Sequence, residues 1–235
     1  MKKISIEKGV LDQFPSTHVG IVVAKNICNN TNVEGIEFVL RESENQVRTQ
    51  HEGKALLDLP EMKLWRETYK AFGAKKGRRV SIEAMLKRVL KGKAIPLINP
   101  LVDLYNAVSL RHLFPCGGED LNHIMGDVVL GIARGDESFK TIGSDVNEPP
   151  NPGEVVYKDE AGCLCRCWNW READRTKLTE ETTHAILVIE SLDASRVDEM
   201  KGAMDHLSTL VAEFLNAETQ TAILNAENPI MKIEL

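Results

Sequence analysis

The stretch from Asn99 to Leu121, NPLVDLYNAVSLRHLFPCGGEDL, limits what this chain can become more than any other. Asn99 suits a helix N-cap, because its side-chain oxygen can accept from an orphan backbone N–H of the first turn. Pro100 follows at the first helical position, where the missing N–H is harmless and φ is already set. Leu101, Leu104, Tyr105, Val108 and His112 then fall on one helical face, with Val102 and Leu113 at its margin and Asn106 and Ser109 toward a polar edge. Phe114-Pro115 stops the helix, since a residue before proline is driven out of the α region. Cys116-Gly117-Gly118-Glu119-Asp120 follows at once and is expected as a turn: two glycines that let backbone approach a ligand, beside two carboxylates.

With 235 residues, 43% of them apolar, the chain can fill one sizeable core, or one core and a small subdomain. A formal net charge of −6 is not that of a dedicated nucleic-acid binder. The opening MKKISIEKGVL lacks the apolar run of a secretion signal, and no stretch approaches the ~18 apolar residues of a membrane span. Five cysteines, an odd number, fit reduced thiols. A cytoplasmic protein is expected.

Ile4-Ser5-Ile6 and residues 19–24 read as strands around a turn, and Asn29-Asn30-Thr31-Asn32 as turn and cap residues. Helices are expected from Ile36, from Pro60 (Trp65, Tyr69, Phe72) and over 82–90 with Ser81 as cap. Residues 128–132 and 139–142 resemble a hairpin, 147–153 an irregular loop, and 154–158 and 163–170 further strands. A strand over 185–190 precedes a long helix over 196–215, and the tail from Thr221 has no clear period. This order predicts an α+β fold, one domain over 1–235 with a mixed sheet and flanking helices.

Charge segregates sharply at one place. Lys75, Lys76, Arg78, Arg79, Lys87, Arg88, Lys91 and Lys93 meet a single acid, Glu83, so residues 75–93 carry +7 and the remaining chain −13. Such a run is either a solvated helix face or a local contact for phosphates, and the segregation favours the second.

Cys163, Cys165 and Cys167 would form a row on one strand face, a poor frame for tetrahedral zinc, so no metal is expected. The alternate face sets Arg166 beside Trp168 and Trp170, and with Asn169, Arg171 and Glu172 makes a polar strand end suited to a pocket. No HExxH, paired CxxC, GxSxG, Walker loop or dinucleotide fingerprint is present, and no cofactor is implied.

From Asn99 to about Glu190 these residues resemble the tRNA-editing module of the bacterial phenylalanyl-tRNA synthetase beta subunit, most closely its stand-alone versions. The resemblance rests on Asn99-Pro100-Leu101-Val102-Asp103, Asn106-Ala107-Val108, Pro115, Asp120-Leu121, Gly126-Asp127-Val128-Val129 and Thr179-Glu180-Glu181-Thr182 before the 185–187 strand. Gly117-Gly118-Glu119-Asp120, Gly135-Asp136-Glu137 and the run from Arg166 to Glu172 point to the stand-alone group. The synthetase module has a histidine two positions after its proline, where this chain has Gly117, and its glycine-rich strand end is replaced by Trp168 to Glu172. The pocket floor and the amino acid recognised should therefore differ.

The resemblance implies hydrolysis of mischarged aminoacyl-tRNA without any charging activity, with tRNA as partner through its aminoacylated 3′ end. Glu119, Gly117 and Gly118 are the candidate catalytic residues: a carboxylate for water or ammonium, and backbone donors for the carbonyl. Asn106, Ser109, Arg166, Asn169, Arg171 and Glu172 are candidates for substrate binding, and Lys75, Lys76, Arg78, Arg79, Lys87 and Arg88 for RNA. A non-catalytic RNA-binding module and an amino-acid or other small-molecule binding protein are the alternatives. Salt separates them, since RNA binding weakens steeply with it and a small-molecule pocket does not.

Overall fold

The computed structural model describes residues 2–30 and 34–234. Thr31 and Asn32, expected as turn and cap residues, lie outside the described residues. The chain runs β1 (Lys2–Ile6), α1 (Lys8–Gln13), β2 (His18–Lys25), α2 (Ile36–His51), α3 (Pro60–Ala71), α4 (Ser81–Val89), α5 (Pro100–His112), β3 (Cys116–Asp120) and β4 (Val128–Ile132). It continues through β5 (Val155–Asp159), β6 (Gly162–Arg166), β7 (Arg171–Glu172), β8 (Ala185–Ser191), α6 (Val197–Leu215), β9 (Glu218–Leu224) and β10 (Ile230–Ile233). The α+β class is as expected, but the strands form two sheets rather than one. One is six-stranded and mixed, in the order β10-β1-β4-β5-β6-β7, and the other four-stranded and antiparallel, in the order β3-β8-β2-β9. β1 and β2 are interior strands, so residues before 98 are built into both sheets.

Alternation along the strands sorts the core. Val19, Ile21, Val23, Ile186 and Val188 face the six-stranded sheet, where they share one apolar cluster with Ile4, Val128, Leu130 and Tyr157. Val22, Ala24, Ala185, Leu187 and Ile189 face the other way, onto α5 and α6. The four-stranded sheet is thus buried on both faces, which explains why 185–189 reads as an unbroken apolar run.

α5 carries the cap its sequence predicts: Asn99 accepts from Val102 N–H at 3.1 Å, and the helix ends on Leu113 in the left-handed region (φ 54°). It is not one-sided, however. Every residue from Pro100 to Leu110 is buried, because α2, α6 and β3 surround it. Asn106 and Ser109 are therefore buried rather than on an exposed face. Ser81 does not cap α4, whose N-cap is Val80 with no side-chain bond.

Three segments differ from expectation. Cys116 to Asp120 is a buried edge strand paired with β8 and not a turn, since Gly117 and Gly118 let the chain pass close to its neighbours. A Cβ on Gly118 would stand 2.6 Å from Leu187 Cδ2 and 3.1 Å from Leu178 Cδ1. The segment 139–142 makes only an isolated bridge, Thr141 to Ala173. The strand expected to reach Trp170 stops at Arg166, where Cys167 and Trp168 turn the chain through the left-handed region (φ 47° and 68°). The tail, with no legible period, forms β9 and β10.

A bulge breaks the expected cysteine row as well. Tyr157 pairs with Cys165 and Lys158 with Cys163, leaving Leu164 as the extra residue. Cys165 consequently faces the space between the sheets, while Cys163 packs with Phe139 and Val156 on the far side.

Candidate functional site

Among the described residues β3 has one neighbouring strand, β8, so every second backbone N–H leaves its open edge. Asp120 N–H uses that edge to reach Thr176 O at 2.8 Å, which turns Gly118 N–H the same way and Gly117 N–H into the ladder. Glu172, in the short strand after the Cys167–Trp168 turn, presents its carboxylate here. Its Oε1 would be 3.2 Å from a Cβ at Gly117, and Gly118 N–H stabilises its charge. The expected pair of glycine donors thus reduces to Gly118, which already faces a carboxylate.

Glu172 stands at the junction of two spaces. Outside is an open groove of about 500 Å³ lined by Met85, Arg88, Ile98, Tyr105, Asn106 and Arg171 among others. Inside, between the sheets, is a cavity of about 20 Å³, room for about one water molecule, lined by Ile4, Glu119, Tyr157, Cys165 and Asn169. Among the described residues only Asn169 and Glu172 line both.

Glu119 points inward because it lies two residues from Gly117 on the inter-sheet face. It is buried, and its Oε2 has no hydrogen-bond partner among the described residues. Burial, and then the charge of Glu172, hold its carboxyl well above the usual range, while the nearby Thr176 hydroxyl works the other way. Burial also raises Glu172 to about 7, against the Gly118 N–H. A third acid joins them: Glu190, at the end of β8, is raised to about 7 by burial in spite of donors from Tyr157 and Asn169. Tyr157 Oη donates to Glu190 Oε1 at 2.6 Å, and Asn169 Nδ2 donates to Oε2. Glu172 and Glu190, both raised to about 7, with Glu119 raised well above its ordinary range beside Glu172, are a setting for proton transfer near pH 7.

The other candidate residues divide. Asn106 and Arg171 line the groove. Asn169 does too, but its amide is engaged, with Oδ1 accepting from Ser81 N–H (3.2 Å) and Tyr69 Oη (3.4 Å). It braces the turn and offers little to a ligand. Ser109 does not reach the groove, since its hydroxyl donates to Phe114 O at 2.6 Å and secures the chain after the helix end. Nor does Arg166, which forms a buried pair with Glu154 (3.0 Å), donates to Glu148 O (2.9 Å) and lies over Phe139. Trp168 is fully buried against Trp65 and Phe14, so the expected guanidinium beside two indoles does not form.

The basic segment is less free than its charge suggests. Arg78 pairs with Glu154 at 2.8 Å and touches Cys167 Sγ, and Arg79 and Arg66 share the buried Glu83. Lys75, Lys76, Lys87 and Arg88 are exposed and without ion pairs among the described residues; Arg88 also donates to Ala94 O. Lys75, Lys76, Arg78 and Arg79 line a crevice of about 370 Å³. Among the described residues no helix is long and apolar enough to cross a membrane.

Glu190 and Tyr157 did not stand out as site residues, though a signal existed. In AILVIES, Ile186, Val188 and Glu190 share one strand face, so an acid there must point between the sheets.

A comparison with curated proteins finds none that matches. Among solved structures, an N-terminal fragment of the phenylalanyl-tRNA synthetase beta-subunit from Pyrococcus horikoshii is similar, with a TM-score of 0.47 and 11% identity. That likeness covers 92% of this chain and 49% of the fragment, so the chain spans about half its length. The family model of the B3/4 domain matches residues 64–225, from α3 to the end of the four-stranded sheet. That match takes in more than half of the sequence, and the chain belongs to the B3/4 domain family, a domain found in the phenylalanyl-tRNA synthetase beta subunit.

Proposed function

We propose that this protein binds the aminoacylated 3′ end of tRNA and hydrolyses the ester of a mischarged amino acid, acting as a stand-alone editing domain in the cytoplasm. The observation that carries this reading is Glu172: a carboxylate raised to about 7 at the junction of a substrate-sized groove and a water-sized cavity. An aminoacyl ester is already activated, so little beyond a positioned water and a matched base is required.

In this reading the ester lies in the groove with its carbonyl toward Glu172. Glu172 takes a proton as water oxygen attacks the carbonyl carbon. The tetrahedral intermediate then expels the ribose oxygen, which recovers that proton, releasing free amino acid and tRNA. Glu119, whose carboxyl burial raises toward the protonated form, donates a hydrogen bond to the water or the developing oxyanion, and Asn106 orients the ester. Met85, Ile98 and Tyr105 supply an apolar wall for the amino-acid side chain. Lys75, Lys76, Lys87 and Arg88 meet the tRNA phosphates.

The test is release of amino acid from a panel of mischarged tRNAs. Glu172→Gln should lower kcat at least about 10²-fold on the best substrate, with little change in tRNA binding. No turnover by the wild-type protein on any member of the panel, with tRNA bound, would favour the non-catalytic module.

A further inference from the structure

Between the basic crevice and the groove stands an arrangement that the hydrolytic reading leaves unused. The Trp170 indole carries two guanidinium groups, Arg78 reaching it from the crevice (4.5 Å to the ring centroid) and Arg171 from the groove (4.6 Å). The two cations differ. Arg78 is nearly buried and neutralised by Glu154 at 2.8 Å. Arg171 is exposed and, among the described residues, has neither a carboxylate nor a hydrogen-bond acceptor.

An exposed arginine normally samples many rotamers, and ordering one costs side-chain entropy. Here the indole holds the plane of Arg171 beforehand, with its charge unanswered. Planar guanidinium groups and aromatic rings are the surfaces on which unpaired bases stack, and stacking of this kind tolerates any base. The charges nearby fit the rest of such a ligand, with Lys75 and Lys76 on the crevice side and Arg88 in the groove. A groove of about 500 Å³ admits a splayed nucleotide but not a duplex.

We infer that Arg171, laid on Trp170, is a stacking platform for a nucleobase of single-stranded nucleic acid whose phosphates lie on Lys75, Lys76 and Arg88. This deepens the editing reading, on which it rests for the identity of the strand as a tRNA 3′ end. It places the terminal bases beside the groove, so that the ester carried by the last ribose reaches Glu172.

The probe is a short, unacylated, single-stranded oligoribonucleotide ending in CCA, compared with an abasic oligonucleotide of the same length and with tripolyphosphate. Trp65 and Trp168 are buried, which leaves Trp170 as the indole that a ligand can quench. The oligoribonucleotide should quench emission, and the two controls should not. Arg171→Ala should weaken binding about tenfold, the size of one stacked base, and Arg171→Lys should weaken it as much because a point charge offers no plane. Wild-type affinity in the Arg171→Lys variant, or equal binding of the abasic strand, would overturn the platform. Deacylation separates the two readings. Turnover with unchanged binding in the Arg171→Ala variant refutes the platform alone, whereas binding that depends on Arg171 without turnover on any mischarged tRNA refutes hydrolysis alone.

Discussion

Glu119 and Glu172 line one cavity between the sheets, and Glu190 sits behind Tyr157 and Asn169, which line it too; the raised carboxyls set the expected pH behaviour. Glu172, raised to about 7, is a base only when ionised, so kcat/KM should climb about tenfold per pH unit below 7 and level off above it. A rate independent of pH from 5 to 8 would remove Glu172 from the role. Glu190 gives a prediction for stability. Its proton is retained up to about 7 in the folded protein against an ordinary value of 4.5. The stability it contributes is therefore fully present below about 4.5 and is lost as pH rises through about 7. Glu190→Gln keeps the partners Tyr157 and Asn169 but cannot ionise. Urea unfolding from pH 5 to 8 should show the wild type losing ground to this variant as pH rises. His112, pushed down to about 4 by burial and then by His206, acts with the opposite sign but cancels between the two proteins.

Strand β3 and helix α5 show how an element serves the site through its neighbours. In β3, Gly118→Ala should destabilise the fold by roughly 1–3 kcal/mol, because the added methyl meets Leu187 and Leu178 in a packed core. Gly117→Ala meets Glu172 Oε1 at 3.2 Å and should leave the melting temperature nearly unchanged while moving the pH midpoint of activity. Equal effects of the two on stability would show that Gly117 is only a packing glycine. In α5 the cap is part of a network: Asn29 Nδ2 donates to Asn99 Oδ1 (3.1 Å), Leu101 N–H donates to Asn29 Oδ1 (2.8 Å), and Asn99 Nδ2 donates to Leu178 O (3.1 Å). Asn99→Ala should cost on the order of 2–3 kcal/mol in denaturant unfolding, more than the ~1 kcal/mol of a solvent-exposed cap.

Across the whole molecule, the charge of residues 75–93 is divided between holding the fold and facing solvent. Replacing Lys75, Lys76 and Lys87 together with Gln should leave stability unchanged and flatten the salt dependence of tRNA binding by up to ~3 in log–log slope. An unaltered slope would place the phosphates elsewhere. Arg78→Gln should behave differently, destabilising the protein because it removes one of the two guanidinium groups that pair with the buried Glu154 and leaves Arg166 to balance its charge.

Much of this was readable in residue order. Asn99-Pro100 and Phe114-Pro115 determine where α5 begins and ends, since capping and the restriction before proline act within a few residues. The helices starting at Ile36 and Pro60 and the long one ending at Leu215 follow from local periodicity in the same way. The tertiary structure decided what local rules do not reach. It made Gly117-Gly118 a strand because β8 offered a ladder to pair with, and it turned the chain at Cys167 and Trp168, whose left-handed conformations burial upholds. It also chose which charges are spent: Arg78, Arg79 and Arg166 were as cationic in the sequence as Lys75 or Arg171. Only folding brought Glu83 and Glu154 to the first three, and left Arg171 on an indole with no counter-charge among the described residues. Charge is a property of the residue, but whether it is available depends on the partners that folding brings to it, from one helical turn away for Arg79 to 76 residues away for Arg78.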